Sequence, residues 1–143
     1  MTATILTTLL TGLIGIFLAG ITYWFTKKRE RDAELRKVKL EYYKEFVLSL
    51  SGIMEGEDSP EGHRAFSRTS NNLMLIAPQH VLVALHAYRS ELDLDEAKRN
   101  DVRETQLFSK LLYEIRRDLQ ISPHDQEGVF KVNLWASGVK QDS

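Results

Sequence analysis

The chain is 143 residues long, 43% hydrophobic and 27% charged, which is the size of one domain with room for an appendage but not for a second independent core. Nineteen Lys plus Arg against twenty Asp plus Glu leave a net charge of -1, which argues against a strongly basic nucleic-acid binder and against a disordered acidic tail. With no cysteine, disulfide scaffolds, Cys-ligated zinc, iron–sulfur clusters and thiol nucleophiles are excluded.

The apolar residues are concentrated at the N-terminus. Ile5 to Phe25 carries no charged residue, and a helix of that length is about 31 Å long, the thickness of a bilayer's hydrocarbon core. Residues 1–26 therefore read as a transmembrane helix, since a chain in lipid must satisfy its own backbone hydrogen bonds. Tyr23, Trp24 and Phe25 form an aromatic interface anchor, and Lys27, Lys28, Arg29 and Arg31 follow at once, marking the cytoplasmic side. A cleaved signal peptide would carry its basic residues before the apolar run, not after it. The expected topology is single-pass in a bacterial inner membrane, N-terminus outside and the remainder cytoplasmic. Thr8, Gly12, Gly15, Ala19 and Thr22 recur at steps of three and four on one helical stripe, so backbones can approach closely there. The stripe reads as a homo-oligomer seam; in a ring of copies its threonines could line a narrow aqueous path instead.

From Lys27 to Met54 the apolar residues Leu35, Val38, Tyr42, Phe46, Leu50 and Ile53 define an amphipathic stalk helix that continues rigidly from the membrane, giving one helix of about 50 residues, or some 75 Å. The stalk has eight basic and five acidic residues, and its positive charge faces anionic lipid. The run Glu55 to His63 ends that helix, with Ser59 and Pro60 as N-cap and first-turn proline of a second helix, Pro60 to Ile76, that points Phe66, Leu73 and Ile76 inward. Pro78 starts a third helix carrying Val81, Leu82, Leu85, Tyr88 and Leu92. A fourth, from about Glu96 to Leu119, presents Val102, Phe108, Leu111, Leu112, Ile115 and Leu119. The fold class is all-α: a transmembrane helix continuing into a cytosolic bundle of about four helices (27–122), then a short apolar tail (123–143). In that tail Phe130, Leu134 and Trp135 are too apolar to stay in water and must dock on the bundle, a neighbouring copy or the membrane, with strand and helical turn both open for 128–135.

No phosphate-binding glycine motif, paired metal-ligand spacing or nucleophile elbow occurs, so neither a cofactor nor a metal is expected. Arg117, near the end of the fourth helix, precedes His124 by six intervening residues. This pair resembles the Arg-then-His signature of HEPN-type helical ribonucleases, in which histidine serves as acid or base and arginine holds the phosphate. The plain alternative is that Arg116 and Arg117 complement the helix dipole and pair with neighbouring carboxylates while His124 lies in a loop.

The single span, the stalk with Leu40-Glu-Tyr-Tyr-Lys-Glu-Phe46, the Leu73-Met-Leu-Ile-Ala-Pro78 break and Leu111-Leu-Tyr-Glu-Ile-Arg-Arg-Asp-Leu119 together resemble the HEPN-like membrane accessory proteins of type VI-B CRISPR systems. The resemblance implies an oligomeric membrane pore that enhances antiviral defence, with Arg117 and His124 vestigial and a CRISPR effector or another protein as partner. Beside this stand a membrane-tethered ribonuclease using Arg117 and His124, which would add nucleic acid as a ligand, and a membrane anchor or adaptor that binds a protein through Phe130 and Trp135.

Overall fold

The computed structural model describes residues 2–53, 59–95, 98–121 and 123–132, without the side chains of 2–4 and 6–9. Within them the chain is all-helical: α1 (Thr2–Leu50) passes into a 3₁₀ turn at Ser51–Ile53, followed by α2 (Pro60–Ile76), α3 (Gln79–Leu92) and α4 (Asp101–Asp118). The chain divides into two compact units, Met1–Lys37 and Val38–Ser143, so the charged stretch 27–37 groups with the apolar part of α1.

Local chemistry sets the helix ends. Ser59 is the N-cap of α2, its hydroxyl accepting the Gly62 N–H at 3.1 Å, with Pro60 in the first turn where its missing N–H is harmless. Ala77, held extended by the proline that follows, closes α2. Helix α4 begins later than the expected Glu96. Asn100 is its N-cap, its side-chain oxygen accepting the Arg103 N–H at 3.0 Å, and the preceding residues are held to α3 by Arg99 donating to the Leu92 carbonyl at 2.7 Å. The 3₁₀ turn and α2 meet at two glycines: a Cβ on Gly52 would stand 2.6 Å from the Gly62 Cα, and one on Gly62 would strike the Gly52 carbonyl.

The core of the second unit takes Tyr43, Phe46 and Leu50 from α1, Phe66 and Leu73 from α2, Val81, Ala84, Leu85 and Tyr88 from α3, and Phe108, Leu111 and Ile115 from α4. Steps of three and four within each helix keep these side chains on one face. Three expected core positions face solvent instead: Leu35 (49% exposed), Val38 (44%) and Val102 at the start of α4. Tyr42 packs half-buried against the core, while its neighbour Tyr43 is fully enclosed. Polarity decides the choice between the two tyrosines: the Tyr43 hydroxyl donates to Asp118 Oδ2 at 2.6 Å, and Lys39 one turn earlier donates to the same carboxylate at 2.8 and 3.0 Å. The inward face of α1 thus begins with a charged group that has found its partner, not with an apolar one.

The two enclosed phenols make stability depend on alkaline pH. Burial, with the Asp118 carboxylate alongside, pushes the Tyr43 hydroxyl well above its ordinary value of 10.0, and burial with Glu104 nearby does the same for Tyr88. A raised folded-state pKa gives stability that is complete below the unfolded value and is lost as pH climbs past it. Above pH 10 each tyrosine should therefore lower the unfolding free energy by about 1.4 kcal/mol per pH unit. Urea midpoints of the full chain measured at pH 9, 10 and 11 should show this fall, and Tyr43→Phe should reduce its slope by about half.

Candidate functional site

The features expected to face a membrane lie in the first unit. All of the described side chains of α1 from Leu10 to Lys37 are exposed, and among the described residues this is the one helix long and apolar enough to cross a membrane. Gly12, Gly15, Ala19 and Thr22 sit on it as the three-and-four spacing requires, and a Cβ added at Gly12 or Gly15 would meet nothing within 4 Å. The helix position of Thr8 is described, but its side chain lies outside the described residues. The Thr22 hydroxyl donates to the Leu18 carbonyl at 2.9 Å, so it needs no outside partner in an apolar surrounding. At the basic end Tyr23, Trp24 and Phe25 are all more than half exposed, and Trp24 meets Phe25 edge-on at 5.1 Å. Lys28 stands 5.5 Å over the Trp24 ring, Lys27 pairs with Glu30 at 2.8 Å, and Arg29 and Arg31 are exposed.

The second candidate site lies where α4 ends. Leu119 closes the helix and Gln120 takes the left-handed conformation (φ 55°), while the Ile121 and Gln120 N–H groups donate to the Arg116 and Arg117 carbonyls at 3.2 and 3.1 Å. This pairing is a Schellman turn, which satisfies the last carbonyls and reverses the chain. The segment 123–132 then returns along α4. Asp125 pairs with Arg116, Glu127 with Lys110, and the Val132 N–H donates to Ser109 Oγ at 3.1 Å. Phe130 settles half-buried against α4, 6.1 Å from the Tyr113 ring and 5.5 Å from the Arg116 guanidinium. The Glu127–Val129 stretch is a turn, with the Val129 and Phe130 N–H groups both donating to the Gln126 carbonyl. Of the expected docking residues, Phe130 packs on its own bundle; Leu134 and Trp135 lie outside the described residues.

Between this returning segment and α4 is a cleft of about 280 Å³ lined by Tyr113, Arg116, Arg117, Ile121, His124 and Asp125. The structure therefore brings Arg117 and His124 to one concavity, with His124 exposed in the loop after Pro123 rather than on the helix. Neither arginine is unengaged. Arg116 donates to both oxygens of Asp125, and Arg117 donates to Glu114 at 3.2 Å. Glu114 is 5% exposed at its side chain and also receives Lys110 at 2.9 Å, while His80 Nε2 stands 3.9 Å away without a hydrogen-bond partner. The Arg116 hydrogen bonds hold the Asp125 carboxyl below its usual range, and the hydrogen bonds that Lys110 donates to Glu127 and then to Glu114 raise its ammonium above its own. Asp125 and Glu114 were not among the expected site residues. Glu114 had a readable signal, lying four residues after Lys110 and three before Arg117 on one helix; Asp125 had none beyond its place beside His124. Among the described residues no group of three or more His, Asp or Glu is arranged to hold a metal ion.

No protein-family model, curated protein or solved structure matches this chain.

Proposed function

We propose that this chain is a single-pass inner-membrane protein, N-terminus outside and helical bundle in the cytoplasm, that acts by assembling with copies of itself. The observation that carries the reading is the exposed α1 stripe through Gly12, Gly15, Ala19 and Thr22, open to empty space at both glycines in the single chain. Small residues on a lipid-exposed helix allow the close backbone contact on which helix association in a bilayer depends. The basic residues after Trp24 fit the cytoplasmic side and anionic headgroups. We take the assembly to be a pore or membrane-perturbing effector in antiviral defence of the CRISPR type, as the resemblance in layout implies.

Gly12→Leu and Gly15→Leu, whose side chains fit the lipid but not a tight helix seam, should convert the oligomer of the full-length protein in lipid discs to smaller species and abolish dye entry into cells. An oligomer of unchanged mass in both variants refutes assembly along this stripe.

A ribonuclease is the second reading, favoured by the meeting of Arg117 and His124 at one cleft. Against it, Arg117 is bound to the buried Glu114 carboxylate, which lowers its availability to a phosphate. Purified wild-type protein that leaves RNA intact ends this reading; cleavage lost in both Arg117→Ala and His124→Ala sustains it.

A further inference from the structure

We propose that the cleft at the end of α4 is a binding site for a soluble phosphate monoester, and that Asp125 occupies it as a tethered stand-in for that ligand. The Arg116 guanidinium meets the Asp125 carboxylate through two parallel bonds, Nε to Oδ2 at 2.5 Å and Nη2 to Oδ1 at 3.1 Å. A phosphoryl group offers a guanidinium the same pair of acceptor oxygens with more negative charge. Both partners are open to solvent, with side-chain exposures of 37% for Arg116 and 21% for Asp125, so an incoming anion can reach the pair.

The charge balance points the same way. Around the cleft Lys110, Arg116 and Arg117 are matched by Glu114, Asp125 and Glu127, each cation touching at least one carboxylate. Four of these six, Lys110, Arg117, Glu114 and Glu127, pair among themselves without Asp125. Displacing Asp125 therefore leaves Arg116 as a positive excess. Tyr113 and Ile121 complete the lining with an aromatic ring and an apolar side chain. At about 280 Å³ the space lies at the lower end of ligand-pocket volumes, enough for a phosphoryl group with a small organic part and too little for a folded partner. Because Asp125 belongs to the returning segment 123–132, a ligand that takes Arg116 from it removes one of the two ion pairs holding that segment to α4.

The test is calorimetry on the full-length protein in zwitterionic lipid discs with adenosine monophosphate as the probe. Asp125→Asn, which keeps the side-chain size and removes the competing charge, should bind the probe about tenfold more tightly than wild type, the strength of a charge-assisted hydrogen bond released for the ligand. Adding Arg116→Gln to Asp125→Asn should abolish that gain. Equal affinity in wild type and Asp125→Asn, or a gain that survives Arg116→Gln, overturns the site. Discs containing phosphatidic acid present the same phosphate ester on a lipid; displacement of the soluble probe by that lipid would overturn the assignment to a soluble ligand. Binding is read without turnover, so a protein inert toward RNA ends the ribonuclease reading alone.

Discussion

Phe46→Ala should remove about 3–5 kcal/mol of bundle stability, the usual loss when a large aromatic side chain leaves a closed core. Phe46 is fully enclosed on α1, and its ring lies 5.8 Å from that of Phe66 on α2, so its removal opens a void between the first helix of the bundle and its sequence neighbour. Collapse to fill that void is restricted, because the same region holds the glycine contact between the Ser51–Ile53 turn and α2, where the two backbones already touch. The Ser49 and Thr69 hydroxyls, 2.8 Å apart, are also fixed in register there. For a domain with one modest core this is a large share of the 5–15 kcal/mol typical of folded proteins. Thermal unfolding of the full chain in detergent, followed by circular dichroism, should show the bundle transition shifted down by at least about 12 °C. Leu48→Ala, on the opposite and exposed face of α1, should change stability by less than about 0.5 kcal/mol. Equal losses in the two variants would show that α1 does not bury the face described.

Much of the bundle was legible because its helices obey strong local signals. Ser59-Pro60 starts α2 and Pro78 separates α2 from α3, since cap geometry and the proline ring act within a few residues whatever the tertiary context. The core faces of α2 and α3 followed from apolar spacing. On α1 the same spacing picked out Phe46 and Leu50, which are buried, but also Leu35 and Val38, which are exposed, and it passed over Tyr43, because the enclosed stripe through Tyr43, Phe46 and Leu50 is turned by only about 80° from the one through Leu35, Val38 and Tyr42. Which stripe turns inward depends on a partner 75 residues away, the Asp118 carboxylate that accepts the Tyr43 hydroxyl. Periodicity also placed Val102 inside; α4 begins only at Asp101, and its first turn lies beyond the packed part of the helix.

The candidate site was legible in residue type and not in geometry. Arg117 and His124 could be paired by spacing, yet their convergence rests on the Schellman turn at Gln120, a non-glycine residue in the left-handed conformation that no turn-forming residue announces. The same turn delivers Asp125 to Arg116, which changes the chemistry of the cleft from two free cations to a compensated pair. Three consecutive residues at the end of α4 consequently serve three directions: Arg116 holds the returning segment, Arg117 closes on Glu114 within the helix, and Asp118 holds α1.

The last of these contacts carries the second large effect. Asp118→Ala should destabilise the bundle by about 3–5 kcal/mol, because breaking a nearly buried ion pair from one side strands the other charge. The side chains of Lys39 and Asp118 are 14% and 10% exposed, and the Tyr43 hydroxyl that shares the carboxylate belongs to a residue only 2% exposed, so water is a poor substitute for either lost bond. Asp118→Asn, which keeps an acceptor for Tyr43 but no charge for Lys39, should fall between wild type and Asp118→Ala. The pair need not be a net source of stability: replacing all three polar groups at once, as Lys39→Met, Tyr43→Phe and Asp118→Leu, removes every stranded group and should recover most of the loss. Urea unfolding of the single and triple variants separates the two possibilities. A triple variant no more stable than Asp118→Ala would mean that the charged contact itself, and not the penalty for leaving a partner alone, holds α1 to α4.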